Sequence, residues 1–419
     1  MRKEQIFFFL RKAAIGALLV SAVLLLLQTD YFTTVSGRAS GGTERSGGAA
    51  AGSAASVSAE AAAALLPRAV LVRFSDGGAQ GSAYDGETTE QAFRRFAAVL
   101  GEALGSAGSP ETIPEETFRG GMDAGCVFVD PGMAFPLGLL SDWLGAGGGG
   151  AADRNADLLY LGLDGNEVRF FFREGEEYFC CPTATQAETL KARMEDFQAA
   201  AAYFAFENER LAGTEPYTVV LESMPELYTV IAGSAGSEAG PQQLMDAMGM
   251  NSYVTSSYFD ADGTLVLMEG GRTLRLNPDG TLYYRDTEGA DKIAAGDSVA
   301  AVNYACRLAQ QSLGAFCGDA KIVFTGMETA GSVYTIWLDY AVSGVPVRLT
   351  DRHAATVMID GGVVRWASME LRHYTRSSTT ETVLPMVQAA AIASARGDGT
   401  LSLVYADGGE RTRCIWVND

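Results

Sequence analysis

The chain has 419 residues, 47% of them hydrophobic, enough for roughly two to four units with a core each, and disorder from end to end is excluded. With 31 Lys+Arg against 51 Asp+Glu the net charge is −20, so phosphate backbones and anionic headgroups are repelled and nucleic acid is not an expected partner. Two histidines, His353 and His373, leave little material for histidine-based metal or triad chemistry.

Residues 1–12 form a basic N-terminus in which Arg2, Lys3, Arg11 and Lys12 stand before an apolar stretch. That stretch, residues 13–32, is about the minimum length for a bilayer span, with its cations on the cytoplasmic side. It predicts a single-pass signal anchor with everything after it outside the cell. A cleaved signal peptide is the alternative, since the run from Ala13 to Leu27 is short enough for one, although no small-x-small triplet follows closely. No Leu-x-x-Cys lipobox follows either, the first cysteine being Cys126. Within the span, Gly16, Ala17 and Ser21 share a small-residue face suited to packing against another span, or they are lipid-facing filler. Residues 33–65 are almost wholly Gly, Ala and Ser and read as a flexible tether, because they cannot bury enough apolar surface to offset chain entropy.

The exported part divides by pattern into three segments, 66–208, 209–290 and 296–419. The first opens with a strand at Ala69 to Phe74. A helix from about Thr88 follows, with Phe93, Phe96, Leu100 and Leu104 on one face and Thr88 with Gln91 as a capping box. Cys126 to Val129 reads as a strand and Pro136 to Leu144 as a short helix. Strands at Leu158 to Leu163 and Glu167 to Phe172 flank Asp164-Gly165, the second continuing into Glu177 to Cys181. A long helix from Thr185 to about Tyr203 is expected to close this segment.

The second segment has a short helix begun by Pro241, then strands at Leu265 to Met268, Thr273 to Leu276 and Leu282 to Arg285, punctuated by Gly270-Gly271 and Pro278-Asp279-Gly280. That is a small antiparallel meander. The third begins with a helix from Ser298 to Leu313 and continues with strands at Lys321 to Phe324, Val333 to Val342, Ala355 to Ile359 and Val363 to Arg372. A helix near Leu384 to Met386 and a terminal hairpin, Leu401 to Tyr405 with Arg413 to Val417, complete it. One helix on a four-stranded antiparallel sheet is the economical reading of this segment. The fold class is therefore α+β: an N-terminal transmembrane helix, then helices packed on antiparallel sheets.

Several motifs fail on inspection. Gly145-x-Gly147-x-x-Gly150 matches a dinucleotide fingerprint but follows a helix, where a strand is required. Asp260, Asp262, Gly263 and Glu269 fit four positions of a calcium loop, but Tyr258 stands at its first position and the flanks read as strands. Glu176 with Glu177, and Asp123 with Asp130, are neighbours expected by chance among so many acids. Neither catalytic residues, nor a cofactor, nor a metal site are expected. The six cysteines, at 126, 180, 181, 306, 317 and 414, contain no C-x-x-C pair and are expected as buried free thiols, with Cys306 and Cys317 the one local pair worth testing.

Several phrases resemble the YycH/YycI regulators: Val127-Phe-Val-Asp-Pro-Gly with Pro136-Leu-Gly-Leu-Leu, Met250-Asn-Ser-Tyr-Val-Thr-Ser-Ser-Tyr before Asp262-Gly-Thr-Leu, and Gly271-Arg-Thr-Leu-Arg-Leu. So do Tyr340-x-x-x-Gly344-x-Pro346-Val347 and the closing Cys414-Ile-Trp-Val, placed after an N-terminal anchor. That family consists of extracytoplasmic accessory proteins of a cell-wall two-component system in Gram-positive bacteria. The resemblance implies PepSY-like units, a sensor histidine kinase and a paralogous accessory protein as partners, and a role of contact without chemistry. It transfers no functional residue. A binding module for wall glycan or peptide is the other expectation, with Tyr253, Tyr258, Tyr283 and Tyr284 lining its surface and core or cross-strand packing as their ordinary use.

Overall fold

The structure, a computed structural model, describes residues 65–235, 240–288, 293–294, 296–394 and 401–418. The basic N-terminus, the expected span with Gly16, Ala17 and Ser21, and all of the tether but its last residue lie outside the described residues. Among the described residues no helix is long and apolar enough to cross a membrane.

The first segment, with β11 added from the second, builds a sheet in the order β11-β10-β2-β1-β4-β7-β8-β9-β3. Its strands are β1 (Ala69–Arg73), β2 (Ala79–Ala83), β3 (Glu111–Ile113) and β4 (Cys126–Asp130), then, after a small pair β5 (Phe135–Pro136) and β6 (Asn155–Ala156), β7 (Leu158–Asp164), β8 (Glu167–Glu174), β9 (Glu177–Gln186), β10 (Ala200–Phe204) and β11 (Val219–Leu221). Helix α1 (Gly86–Ser106) lays the buried Phe93, Phe96, Leu100 and Leu104 on this sheet. It starts two residues earlier than the expected capping box. Asp85 is the cap, accepting from the Thr88 amide at 3.2 Å and from the Thr88 hydroxyl at 2.7 Å. Short helices α2 (Glu115–Gly120) and α3 (Leu137–Trp143) follow. Phe118 on α2 is fully buried edge-on to Tyr160 and Tyr217.

The expected long helix after Thr185 is a correction. Helix α4 covers only Ala187–Met194, and Ala200–Phe204 is strand β10, held between β11 and β2. The alanines favour helix, but Phe204 is buried on the sheet 4.9 Å from Phe128, and that packing outweighs weak local propensity.

The remaining strands are β12 (Leu227–Ser234), β13 (Ser256–Phe259), β14 (Leu265–Glu269), β15 (Arg272–Leu276), β16 (Thr281–Asp286), β17 (Ala320–Ala330), β18 (Val333–Val342), β19 (Val345–Arg348), β20 (Ala355–Asp360), β21 (Val363–Glu370), β22 (Arg372–Glu381), β23 (Leu401–Asp407) and β24 (Thr412–Asn418). The helices are α5 (Pro241–Ala247), α6 (Ser298–Leu313) and α7 (Met386–Ser394). Helix α6 packs on β17, β18, β20 and β21, the helix-on-four-strands unit read from the third segment. That unit is only the middle of a larger sheet, ordered β13-β14-β15-β16-β21-β20-β18-β19-β23-β24, with β17 also paired to β18. The meander joins through β16 on β21, and the terminal hairpin joins through the parallel pair β19 and β23. The expected strand from Val363 to Arg372 is also corrected. It breaks at the buried Leu371, and β22 leaves to pair with β12 in a separate two-stranded sheet.

The two large sheets share one buried core. Phe135 and Phe324 meet at 5.5 Å, Tyr84 and Trp416 at 5.6 Å, and the Trp143 indole donates to Asn303 at 2.6 Å. At one point the backbones themselves touch, where the Gly86 amide donates to the Ser343 carbonyl at 2.9 Å.

Candidate functional site

One face of the long sheet carries α6; the other is open along much of its length. Side chains alternate across a pleat, so the register from Tyr258 through Val266, Arg275 and Tyr283 to Ser368 puts these residues in one row on the face away from α6, with Val266 buried within it. Tyr258 is 49% exposed, Met268 42%, Tyr283 38% and Trp366 37%. At its end the edge strand β13 has all four residues exposed, and the turn before it carries Tyr253, 96% exposed, and Val254. Of the four tyrosines read from sequence, Tyr253, Tyr258 and Tyr283 therefore lie on this surface. Tyr284 does not: it falls on the opposite side of the pleat, 2% exposed, in the core.

Farther along the same face, Trp337 and Asp339 alternate with the buried Ile336 and Leu338. Here a cleft of 510 Å³ opens between β17–β19, β23 and the start of the first segment. Its walls include Leu66, Met133 and Val347, with Arg348, Arg352 and His353 among its polar groups. His353 stacks on Trp337 at 5.7 Å, and its Nδ1 lies 2.8 Å from Asp339 Oδ2. That hydrogen bond raises the His353 pKa above its ordinary value despite partial burial. Arg352 Nη1 donates to Glu370 at 2.9 Å, and Arg68 holds the buried Asp130 at 2.7 Å. Arg68, Arg352 and His353 each already face a carboxylate, so what the cleft offers a ligand is chiefly its apolar walls. The sequence shows His353 but not its partner, because Asp339 reaches it only through the pairing of β18 with β20. The alternation of Thr335, Trp337 and Asp339 with apolar neighbours was the signal that could have marked the face.

The carboxylates of the calcium-loop match have structural partners. Asp262 Oδ1 accepts from the Thr264 amide at 3.1 Å in the β13–β14 turn, and Glu269 Oε2 accepts from the Asn251 amide at 2.6 Å and from the Thr255 hydroxyl. Among the described residues no group of three or more His, Cys, Asp or Glu side chains is arranged to hold a metal ion. The glycine run packs: a Cβ on Gly149 would stand 1.9 Å from the Leu104 carbonyl oxygen at the end of α1, and one on Gly150 2.5 Å from that of Gly108. His373 Nδ1 lies 2.9 Å from the Phe316 carbonyl oxygen. All six cysteines are free thiols, Cys306 half-buried and the rest buried. Burial pushes the Cys126, Cys181, Cys306 and Cys414 thiols up to about 12, so they are poor nucleophiles.

Among solved structures, the crystal structure of YycH from Bacillus subtilis is similar to this chain, with a TM-score of 0.54 and 9% identity over 85% of this chain and 93% of that one. The chain has the YycH fold. At this identity the likeness to YycH carries architecture and no residue roles. No protein-family model and no curated protein matches the sequence. The resemblance read from short phrases is thus matched at the level of the YycH fold, mixed α+β with antiparallel sheets.

Proposed function

We propose that this chain is a membrane-anchored, extracytoplasmic accessory regulator that biases an envelope sensor histidine kinase by protein contact. The observation that carries the reading is the open sheet face bearing Tyr258, Met268, Tyr283 and Trp366, a concentration of exposed apolar side chains of the kind that marks interaction surfaces. The YycH fold supports it, as does the basic-then-apolar order of residues 1–32, which we read as a single-pass anchor. We take residues 296–419 as a PepSY-like unit and a paralogous accessory protein as a second partner. A bound regulator shifts a sensor between two states only through different affinity for each. No bond-making step is assigned to any residue.

The test is co-purification of the full chain from membranes with a sensor kinase, compared with a Tyr283→Ser, Trp366→Ser variant. Recovery of the kinase with the parent chain, reduced at least tenfold in the variant at unchanged circular dichroism, is expected. Absence of any kinase from the parent preparation, with unchanged envelope-stress transcription on deletion, overturns the proposal. Thermal stabilisation by a wall glycan or peptide without kinase recovery would instead move the reading to a binding module that uses the cleft.

A further inference from the structure

The outer side of β13 is an open sheet edge. Among the described residues no strand pairs there, and the strand carries none of the lysines, prolines or bulges that usually blunt such an edge. Its register fixes which backbone groups face outward. The Asp260 amide donates to the Thr264 carbonyl at 2.9 Å, and hydrogen-bonded pairs alternate along an antiparallel ladder. Tyr258 and Ser256 therefore bond inward to β14, and the amides and carbonyls of Ser257 and Phe259 point away from the sheet.

We propose that a second copy of this chain occupies this edge, β13 pairing antiparallel with β13 of its partner across a twofold axis. Charge favours a copy. From Ala247 to Phe259 the sequence has no charged residue, although the whole chain carries −20. Of the carboxylates flanking the seam, Asp260 pairs with Arg275 at 3.3 Å and Glu269 with Arg272 at 2.7 Å, and Asp262 accepts from the Thr264 amide. The seam is a neutral place for two acidic bodies to meet, and it offers a basic partner nothing to neutralise. An edge strand is also self-complementary under a twofold, which closes the assembly at two chains.

The register follows from the outward groups. Pairing Ser257 of each copy with Phe259 of the other engages both residues and makes four main-chain hydrogen bonds, whereas a shift of one residue sets these groups opposite residues that already bond to β14, and a shift of two leaves only one such pair, at the axis. This puts Tyr258 opposite Tyr258 at the axis, in a non-hydrogen-bonded pair with Cα atoms about 4.5 Å apart, within disulfide reach. The two Phe259 side chains become diagonal neighbours about 7–8 Å apart, beyond it. The proposal rests on the outward backbone of β13, whereas the kinase reading rests on the side-chain face; Tyr258 belongs to both.

The test is oxidative crosslinking of the full chain in its membranes, with the parent protein as background. Tyr258→Cys should give a reducible species of about twice 44.2 kDa, at least tenfold above the parent and above Phe259→Cys. Adding Ser257→Pro, which removes an outward amide and no bond to β14, should abolish that species. No doubled species from Tyr258→Cys, equal yield from Phe259→Cys, persistence with Ser257→Pro, or a crosslink to a protein of another mass would each overturn the proposal.

Discussion

At the residue scale, His353 shows how one contact carries both electrostatics and shape. Asp339 accepts from the Ala354 amide at 3.0 Å and from the Thr325 hydroxyl at 3.0 Å, which orients its carboxylate toward the imidazole. Because the folded pKa lies above the ordinary 6.5, the pair stabilises the fold fully below pH 6.5, and the contribution is lost as pH rises through the raised folded value. The His353 side chain is 42% exposed, so the effect is under about 1 kcal/mol. Chemical denaturation of the parent and of His353→Gln should diverge most in mildly acidic buffer and converge in alkaline buffer. The opposite trend would contradict the assignment. Only the existence of His353 was legible beforehand, since Asp339 is 14 positions away and reaches it through pairing between strands.

At the element scale, the meander and helix α1 were legible because their signals are local. Glycine and Asp-Gly turns punctuate strands of period two, and Phe93, Phe96, Leu100 and Leu104 repeat with helical spacing. Strand β10 was not, because an alanine-rich stretch suits a helix until Phe204 has a sheet to enter. The join between the Asp85–Gly86 turn and the turn at Ser343 was equally hidden. A Cβ on Gly344 would stand 2.3 Å from the Gly86 amide nitrogen, and Gly344 has φ +84°, so both space and conformation demand glycine there. Gly344→Ala should destabilise by about 1–3 kcal/mol, whereas Gly147→Ala, with no heavy atom within 4 Å, should stay within about 0.5 kcal/mol. Equal denaturation midpoints for the two variants would show that the sheets do not depend on this contact.

At the scale of the whole molecule, one buried cluster includes Phe96 of α1 and Tyr160 of the first sheet together with Tyr340 and Tyr374 from the C-terminal half. Shared burial couples their unfolding, so calorimetry should record a single cooperative transition, and two resolved transitions would contradict a common core. Charge, the basic-then-apolar N-terminal order and the alternation of apolar residues along each strand depend only on composition and near neighbours. They were enough to predict an acidic chain of helices on antiparallel sheets. Which strand meets which is different in kind. The closure of β16 on β21, the parallel seam of β19 with β23, and the assembly of Arg352, His353 and Asp339 beside one cleft all join residues whose separation along the chain says nothing about their approach. Long-range pairing is selected by the summed burial and hydrogen bonding of the complete sheet, and no stretch read alone contains that sum.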